Sequence, residues 1–334
     1  MIPGSRIIGT GGYVPSRLVT NDELADLTGI APSAIVRLTG IRERRWAAAG
    51  EATSDLALRA AQAALDNAGI PADSLDVIIL STTSSDTPMP SAACHVQRLL
   101  GAKRAFAFDV AASCSGFLYA LSVGDLMIRM GQARLVLVAA AEVKSRYLNF
   151  KDGHTAILFG DGAGAAVLAE GTAVPDGGDG RHGLLSVTLQ ADGSQADLIA
   201  IPAGGSRLPA SDKTVAEGRH TITMKGPRLF RVAVRRLETA VTETLTAHGV
   251  AVRDVQWFVF HQANGRLLEK VTARLGIPRE KTISVIERYG NTSSSALPLA
   301  LDAAVRAGQV TPGDLVLLGA IGGGLTWGTA LMRW

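Results

Sequence analysis

The chain has very little cysteine: only Cys94 and Cys114 in 334 residues. Two thiols make neither a disulfide framework nor a metal-ligand spacing, which argues against stapled secreted scaffolds and zinc modules. Charge imbalance is missing as well. The 33 Lys and Arg face 30 Asp and Glu, a net of +3, and no basic tract is present to neutralise a phosphate backbone, so nucleic acid is not an expected partner. No charged start followed by a continuous apolar stretch opens the chain, and the cytoplasm is the expected location.

Long uncharged runs are also scarce. The one candidate, residues 315–332 (LVLLGAIGGGLTWGTALM), carries five glycines, each costing roughly 1 kcal/mol in a helix interior relative to alanine. It reads as buried strand, glycine turn, buried strand, and no membrane association is expected. What the chain does have is apolar bulk: 47% hydrophobic residues, enough for two domains or one large duplicated one.

A duplication is visible without any alignment. Residues 53–67 have amphipathic helical spacing, stop at Gly69 and lead into the strand-like DVIILSTTS; residues 230–248 do the same, stop at Gly249 and lead into DVQWFVF. Each strand is followed by a helix closing on Leu-Gly (Gly101, Gly276), a turn of small residues (SCSG, GNTSSS), and a third helix ending in Gly-Gln (Gly131, Gly308). The offsets are 249 − 69 = 180, 276 − 101 = 175 and 308 − 131 = 177. Alternating strands and helices imply parallel sheets covered by helices, in two packed halves, residues 1–174 and 175–334. The 177 offset also relates Cys114 to Asn291, so both are expected at equivalent helix starts that converge near a two-fold axis.

Cys114 stands between a short strand and a helix in FDVAASCSGF. A helix N-terminus favours the thiolate and lowers the thiol pKa, which prepares a nucleophile; the other reading is a small buried apolar residue. Cys94, inside PSAACHVQRLL, fits the buried reading better. His261 ends the strand WFVF at the edge where parallel sheets place ligands, or is structural. The other histidines, His95, His154, His182, His220 and His248, have no comparable context. Asn291 is a functional donor, a turn residue or a cap, and Gly322–Gly324 is a tight turn or a close backbone approach with an N–H aimed at an oxyanion. The glycines of IIGTGGYVP and FGDGAGAAVL fail the dinucleotide pattern: the first lacks its third glycine and the second leads into a strand.

Six ordered motifs then carry a resemblance: TGIRERR (residues 39–45), DVAASCSGF around Cys114, FGDGAGAAV from Phe159, HQAN from His261, GNTSSS from Gly290, and GGGLTWG from Gly322. Together they resemble the β-ketoacyl-acyl-carrier-protein synthase III enzymes of the thiolase-like condensing superfamily. The resemblance implies an α/β thiolase-like fold of two βαβαβαββ halves in five αβαβα layers. It implies a homodimer that takes a primer as a thioester on Cys114 and condenses it with a malonyl thioester held by His261 and Asn291. The Cys114 and Gly323 N–H groups would form a second oxyanion site, with no metal or redox cofactor.

By the same resemblance Thr39, Leu158, Phe230, Ala263, Asn264 and Arg266 would contact substrate. Met89 would wall the primer pocket across a dimer interface, where a flexible methionine suggests a longer primer. Arg231, Arg266 and Arg274 would face an acyl carrier protein. Three positions depart from the pattern. The tryptophan and two arginines that commonly grip the adenine of coenzyme A correspond to Ala34, Leu38 and Gly153. Contacts of that kind are worth about 0.5–2 kcal/mol each, so a carrier-bound primer is expected over the coenzyme A ester. Primary fatty-acid initiation and a specialised lipid or polyketide role fit equally.

Three other classes compete. A papain-like thiol hydrolase shares the order Cys, His, Asn, with 261 − 114 = 147, but has no duplication. A non-catalytic partner of a condensing complex would have lost the nucleophile. An acyltransferase of the same fold, passing the acyl group to an alcohol or amine without decarboxylation, stands closest.

Overall fold

The computed structural model describes residues 4–171 and 182–334; the expected division between residues 174 and 175 lies outside them. The first half runs β1 (Ser5–Tyr13), β2 (Arg17–Thr20), α1 (Asn21–Thr28), α2 (Pro32–Thr39), β3 (Glu43–Trp46), α3 (Thr53–Ala68) and β4 (Val77–Ser81). It continues α4 (Ala92–Leu100), β5 (Phe106–Val110), α5 (Gly116–Arg129), β6 (Leu135–Glu142), α6 (Gly153–Ala156) and β7 (Gly162–Glu170). The second runs β8 (Gly183–Ala191), β9 (Ile199–Ala200), α7 (Asp212–Ala216), β10 (Thr223–Met224), α8 (Gly226–Ala247) and β11 (Trp257–Phe260). Then come α9 (Gly265–Leu275), β12 (Thr282–Ile283), α10 (Ile286–Tyr289), α11 (Ala296–Arg306), β13 (Leu315–Gly322) and β14 (Thr326–Arg333).

Helix α3 shows how local sequence and packing combine. Asp55 accepts the Ala52 N–H at 2.8 Å to satisfy the first turn, and Gly69 ends the helix in the left-handed region at φ 68°. Its Leu56, Ala57, Ala60, Ala61, Ala64 and Leu65 form a buried stripe of mostly small side chains. That stripe lies directly on β1, where a Cβ at Gly11 would come within 2.2 Å of the Ala60 carbonyl. The glycines of IIGTGGYVP therefore serve helix-on-strand packing, the structural alternative to a phosphate loop.

Sheet one has the order β1-β7-β6-β4-β5 and sheet two the order β12-β11-β13-β14-β8. Matched element by element, the orders are the same, so each half is one βαβαβαββ unit. The expectation of parallel sheets holds for three strands in each. Strands β4, β5 and β6 are parallel, as are β11, β12 and β13, while β7 and β14 run antiparallel to both neighbours. Residues 315–332 form the expected hairpin.

Three apolar clusters separate five layers. One fills the space between α3, α4 and sheet one; a second surrounds α5 and α11 between the sheets; a third lies between sheet two and α8 and α9. Both central helices thus bury almost every face, and their N-termini meet in mid-molecule.

Their register corrects one expectation. Ser113 and Ser293 are the two non-glycine residues at positive φ among those described, 50° and 56°, each opening a one-turn 3₁₀ helix. They differ by 293 − 113 = 180, as do Gly69 and Gly249, so the equivalent of Cys114 is Ser294 and not Asn291. The 177 offset arises later: α5 has 14 residues and α11 has 11, a difference of three. Asn291 precedes the turn. Two further expectations change. Cys94 is helical but exposed, because α4 points Ala92, Ala93 and Val96 inward. Helix α8 starts at Gly226, four residues before the apolar spacing suggested, with Pro227 in its first turn where no N–H is needed.

Candidate active site

The two central helix starts and the ends of β11 and β13 open on one cavity of about 530 Å³. Cys114, His261, Asn291, Gly322 and Gly323 all line it. Cys114 is held by its turn. The Ser115 and Thr326 hydroxyls lie 2.8 Å apart and both reach the Ala112 carbonyl, at 2.8 and 2.9 Å, tying the cysteine turn to the hairpin that carries Gly323. The hairpin approaches so closely that a Cβ at Gly322 would stand 2.5 Å from the Cys114 nitrogen and 2.9 Å from that of Ser115. The backbone of Gly322 thereby lies against the amides of the cysteine turn, with Gly323 beside the Ser113 hydroxyl.

Sequence reasoning expected the helix N-terminus to lower the thiol pKa. Burial pushes the Cys114 thiol up instead, against the pull of the Ser293 hydroxyl, the Lys144 ammonium and the Ser113 hydroxyl. The resting group is a thiol, with the Ser293 Oγ 3.4 Å from its sulfur.

His261 continues the β11 ladder, its N–H donating to the Gly319 carbonyl at 2.8 Å. Burial drops its pKa to about 3, so the ring is neutral at physiological pH, and its buried Nδ1 has no partner among the described residues. The next residue, Gln262, is structural: its Oε1 accepts the Val285 and Ile286 N–H groups at 2.9 and 3.1 Å, fixing the strand end to α10. Asn291 is oriented from two sides. Its backbone N–H donates to the Leu158 carbonyl at 2.9 Å, and its Oδ1 accepts the Ser293 N–H at 2.9 Å. That turn spends the oxygen and leaves the Nδ2 protons as the free part of the side chain. The turn reading and the functional reading of Asn291 are therefore compatible.

Thr39, Leu158, Phe230, Ala263 and Asn264 also line the cavity. Two of them have structural work. Thr39 Oγ1 donates to the Ile35 carbonyl at 2.6 Å, and Asn264 caps α9 by accepting the Arg266 N–H at 2.7 Å while its Nδ2 donates to the Leu38 carbonyl at 3.2 Å. Arg266 does not line it. Its guanidinium pairs with both oxygens of Glu269, at 2.8 and 2.9 Å, and reaches the Arg37 and Val36 carbonyls. Met89 is 85% exposed, away from the cavity of its own chain. Arg231 and Arg274 lie with Phe230, Arg235 and Lys270 along a groove between α8 and α9; Arg274 pairs with Glu238 at 2.7 Å. Among the described residues Arg231, Arg235 and Lys270 make no ion pair.

The apolar wall of Ile199, Met224, Pro227, Leu229 and Leu267 escaped sequence reasoning, as did His154 at the mouth, beside Leu38 and Asp152. Only the two-residue strands β9 and β10 could have hinted at part of it, and their pattern is too short to read. Among the described residues no three or more His, Cys, Asp or Glu side chains gather to hold a metal, and no helix is long and apolar enough to cross a membrane.

Comparison with known proteins covers the full length. Residues 108–193 match the family described as 3-oxoacyl-[acyl-carrier-protein (ACP)] synthase III, and residues 245–334 match the C-terminal part of the same description. A β-ketoacyl-[acyl-carrier-protein] synthase III of Paramagnetospirillum magneticum is 46% identical over 333 residues, all of both chains. The crystal structure of the 3-oxoacyl-[acyl-carrier-protein] synthase III of Aquifex aeolicus superimposes with a TM-score of 0.89 at 40% identity, covering 99% of this chain and 100% of that one. The priming β-ketosynthase of the R1128 polyketide pathway gives 0.89 at 34%, covering 98% and 96%.

Proposed function

This chain belongs to the β-ketoacyl-[acyl-carrier-protein] synthase III family, and from that premise we propose how its own residues carry out the reaction. The fold is thiolase-like, and the enzyme is an acyltransferase that performs a decarboxylative Claisen condensation of an acyl primer with a malonyl thioester on acyl carrier protein. The observation that carries the residue assignment is the meeting of Cys114, His261, Asn291 and Gly323 on one cavity.

In the first half-reaction the Cys114 sulfur attacks the primer thioester. A new sulfur–carbon bond forms, the donor's carbon–sulfur bond breaks, and the proton of the Cys114 thiol ends on the departing pantetheine sulfur. The Cys114 and Gly323 N–H groups face the oxyanion of that step. In the second, the malonyl thioester carbonyl is held by His261 and Asn291. Loss of CO2 leaves an enolate, which attacks the acyl carbonyl and expels Cys114 as thiolate; one proton from solvent restores the thiol. A neutral imidazole suits this task, since it offers one N–H without a charge that would trap the carboxylate before CO2 leaves, and Asn291 Nδ2 supplies the second donor. The enzyme's groups supply polar stabilisation and a thiol leaving group, so no step calls for a metal or redox cofactor.

Simple acyl transfer to an alcohol or amine is the alternative within this fold. The fixed Asn291 amide favours condensation, because a transfer reaction has no enolate for it to hold. The acyl carrier protein is taken to dock on the basic groove of Arg231, Arg235, Lys270 and Arg274, with the half-exposed Arg266 bracing α2 against α9. Substrates arrive as pantetheine thioesters. Positions 34, 38 and 153 hold Ala, Leu and Gly, and of these Leu38 lines the cavity; no aromatic or guanidinium at those positions can hold an adenine, so the primer is expected on a carrier. A direct comparison of CO2 release from malonyl-carrier with acyl-CoA and acyl-carrier donors tests this: kcat/KM should be higher with the carrier donor. Equal or higher values with acyl-CoA would remove the donor assignment.

A further inference from the structure

Strand β6 ends in the core on a pair of opposite charges. Glu142 is fully buried and Lys144 nearly so, with Nζ 3.0 Å from Oε2. Burying two charges is expensive unless every remaining site is hydrogen-bonded, so such a pair beside a catalytic turn calls for a cause. Here the satisfaction is dense. Glu142 Oε2 accepts the Ser84 hydroxyl at 2.6 Å; Oε1 accepts the hydroxyls of Ser294 at 3.0 Å, Thr83 at 3.1 Å and Ser293 at 3.2 Å. Lys144 Nζ also donates to Thr83 Oγ1 at 2.6 Å. Burial pushes the Glu142 carboxyl up, but Lys144 and the hydroxyl donors outweigh it and hold the group below the usual carboxylate range, so it is ionised.

Ser293 stands between this carboxylate and the nucleophile. Its Oγ is 3.2 Å from Glu142 Oε1 and 3.4 Å from Cys114 Sγ, and a hydroxyl has one proton to give. We propose that Glu142, held by Lys144, is a positioning residue that aims the Ser293 hydroxyl at the Cys114 sulfur. While Cys114 is a thiol, Ser293 donates to Glu142 and offers its lone pair to the S–H; when the sulfur is ionised, the hydroxyl turns and donates to it. Glu142 then keeps Ser84, Ser294, Thr83 and Lys144, so the turn leaves no bare charge. The left-handed backbone of Ser293 is what lets a residue at this point reach both groups.

Besides Glu142 and Lys144, the ionisable groups that share the cavity with the sulfur are His261 after β11 and, beside Leu38, Asp152 and His154. None of them reaches Ser293. The inference rests on Cys114 as acyl acceptor, and its test separates the two. The rate of iodoacetamide alkylation is followed against pH at the Cys114 peptide, since Cys94 is exposed, alongside single-turnover acylation and the thermal midpoint. The variants are Ser293→Ala, Lys144→Met, Glu142→Gln and the double E142Q/K144M, which leaves no unpaired buried charge if a single variant fails to fold.

Ser293→Ala and Lys144→Met should slow alkylation at neutral pH about tenfold and move its profile to higher pH, as the thiolate loses a donor or a cation. Glu142→Gln removes only the negative charge and should move the profile to lower pH, with the double variant between the two single ones. A Ser293→Ala profile that superimposes on wild type overturns the inference, as do shifts all in one direction that follow the thermal midpoint. A wild type that forms no acyl adduct on Cys114 overturns instead the assignment on which the inference rests.

Discussion

His261 lies at the point where burial and catalysis make the same demand. A histidine whose pKa is about 3 in the fold and about 6.5 in the unfolded chain is protonated in the unfolded state first as pH falls. Stability from the buried neutral ring is therefore complete above pH 6.5 and is lost as pH drops toward 3, by about 1.4 kcal/mol per unit where the difference is one proton. Urea midpoints of wild type and His261→Gln should diverge in slope between pH 6.5 and 4.5, wild type falling faster. Parallel slopes would mean that the ring is not held neutral. Among residues, Cys114, His261 and Asn291 could be singled out in sequence as candidates that share one cavity because each stands at a strand end or a small-residue turn. Glu142 and Lys144 were not, since AAAEVKSR reads as any strand running out to a polar surface. Cys94 was misread for the converse reason: an apolar helix shows its period, but the buried face at a single position depends on where the sheet lies.

At the scale of elements, the site is a junction of two helix starts and one hairpin, and its tolerance is small. At Gly322 there is no room for a side chain, since a Cβ would meet the backbone nitrogens of Cys114 and Ser115, at 2.5 and 2.9 Å, rather than a flexible side chain. Gly322→Ala should cost about 1–3 kcal/mol through forced separation of β13 from the cysteine turn. It should also slow acylation, because the Gly323 N–H moves with the strand. Acylation at the wild-type rate would show that the hairpin does not set the oxyanion geometry. Helices and their order were legible here through their glycine stops, Gly69, Gly101, Gly249 and Gly276, all in the left-handed region. Register within the duplication was not, because the three residues missing from α11 leave no mark on its apolar pattern. Only the paired left-handed serines reveal it.

At the scale of the whole molecule, the two halves repeat one topology, and the proposed chemistry is divided between them: the proposed nucleophile Cys114 comes from the first, His261 and Asn291 from the second. The duplication was legible as repeated helix stops. The antiparallel β7 and β14 were not, since a strand's sequence does not record its direction. Among the described residues sheet one ends on β5, an edge strand that pairs with β4 alone and carries a half-exposed Phe106 stacked on Phe108. We propose that a second copy covers this edge, which would bring the exposed Met89 of one protomer toward the primer end of its partner's cavity. Sedimentation equilibrium should give a dimer for wild type and a shift toward monomer for Phe106→Asp. A wild-type monomer at micromolar concentration would refute the pairing.

On the reading proposed above, Cys114 carries the acyl group that the malonyl unit then takes up. Intact-mass analysis of the enzyme after incubation with an acyl-carrier donor, followed by malonyl-carrier addition with CO2 collected, tests it most directly. One acyl adduct on wild type and none on Cys114→Ala, chased by malonyl-carrier with one CO2 per adduct lost, is the expected result. An adduct that persists in Cys114→Ala, or one lost from wild type without CO2, would contradict it.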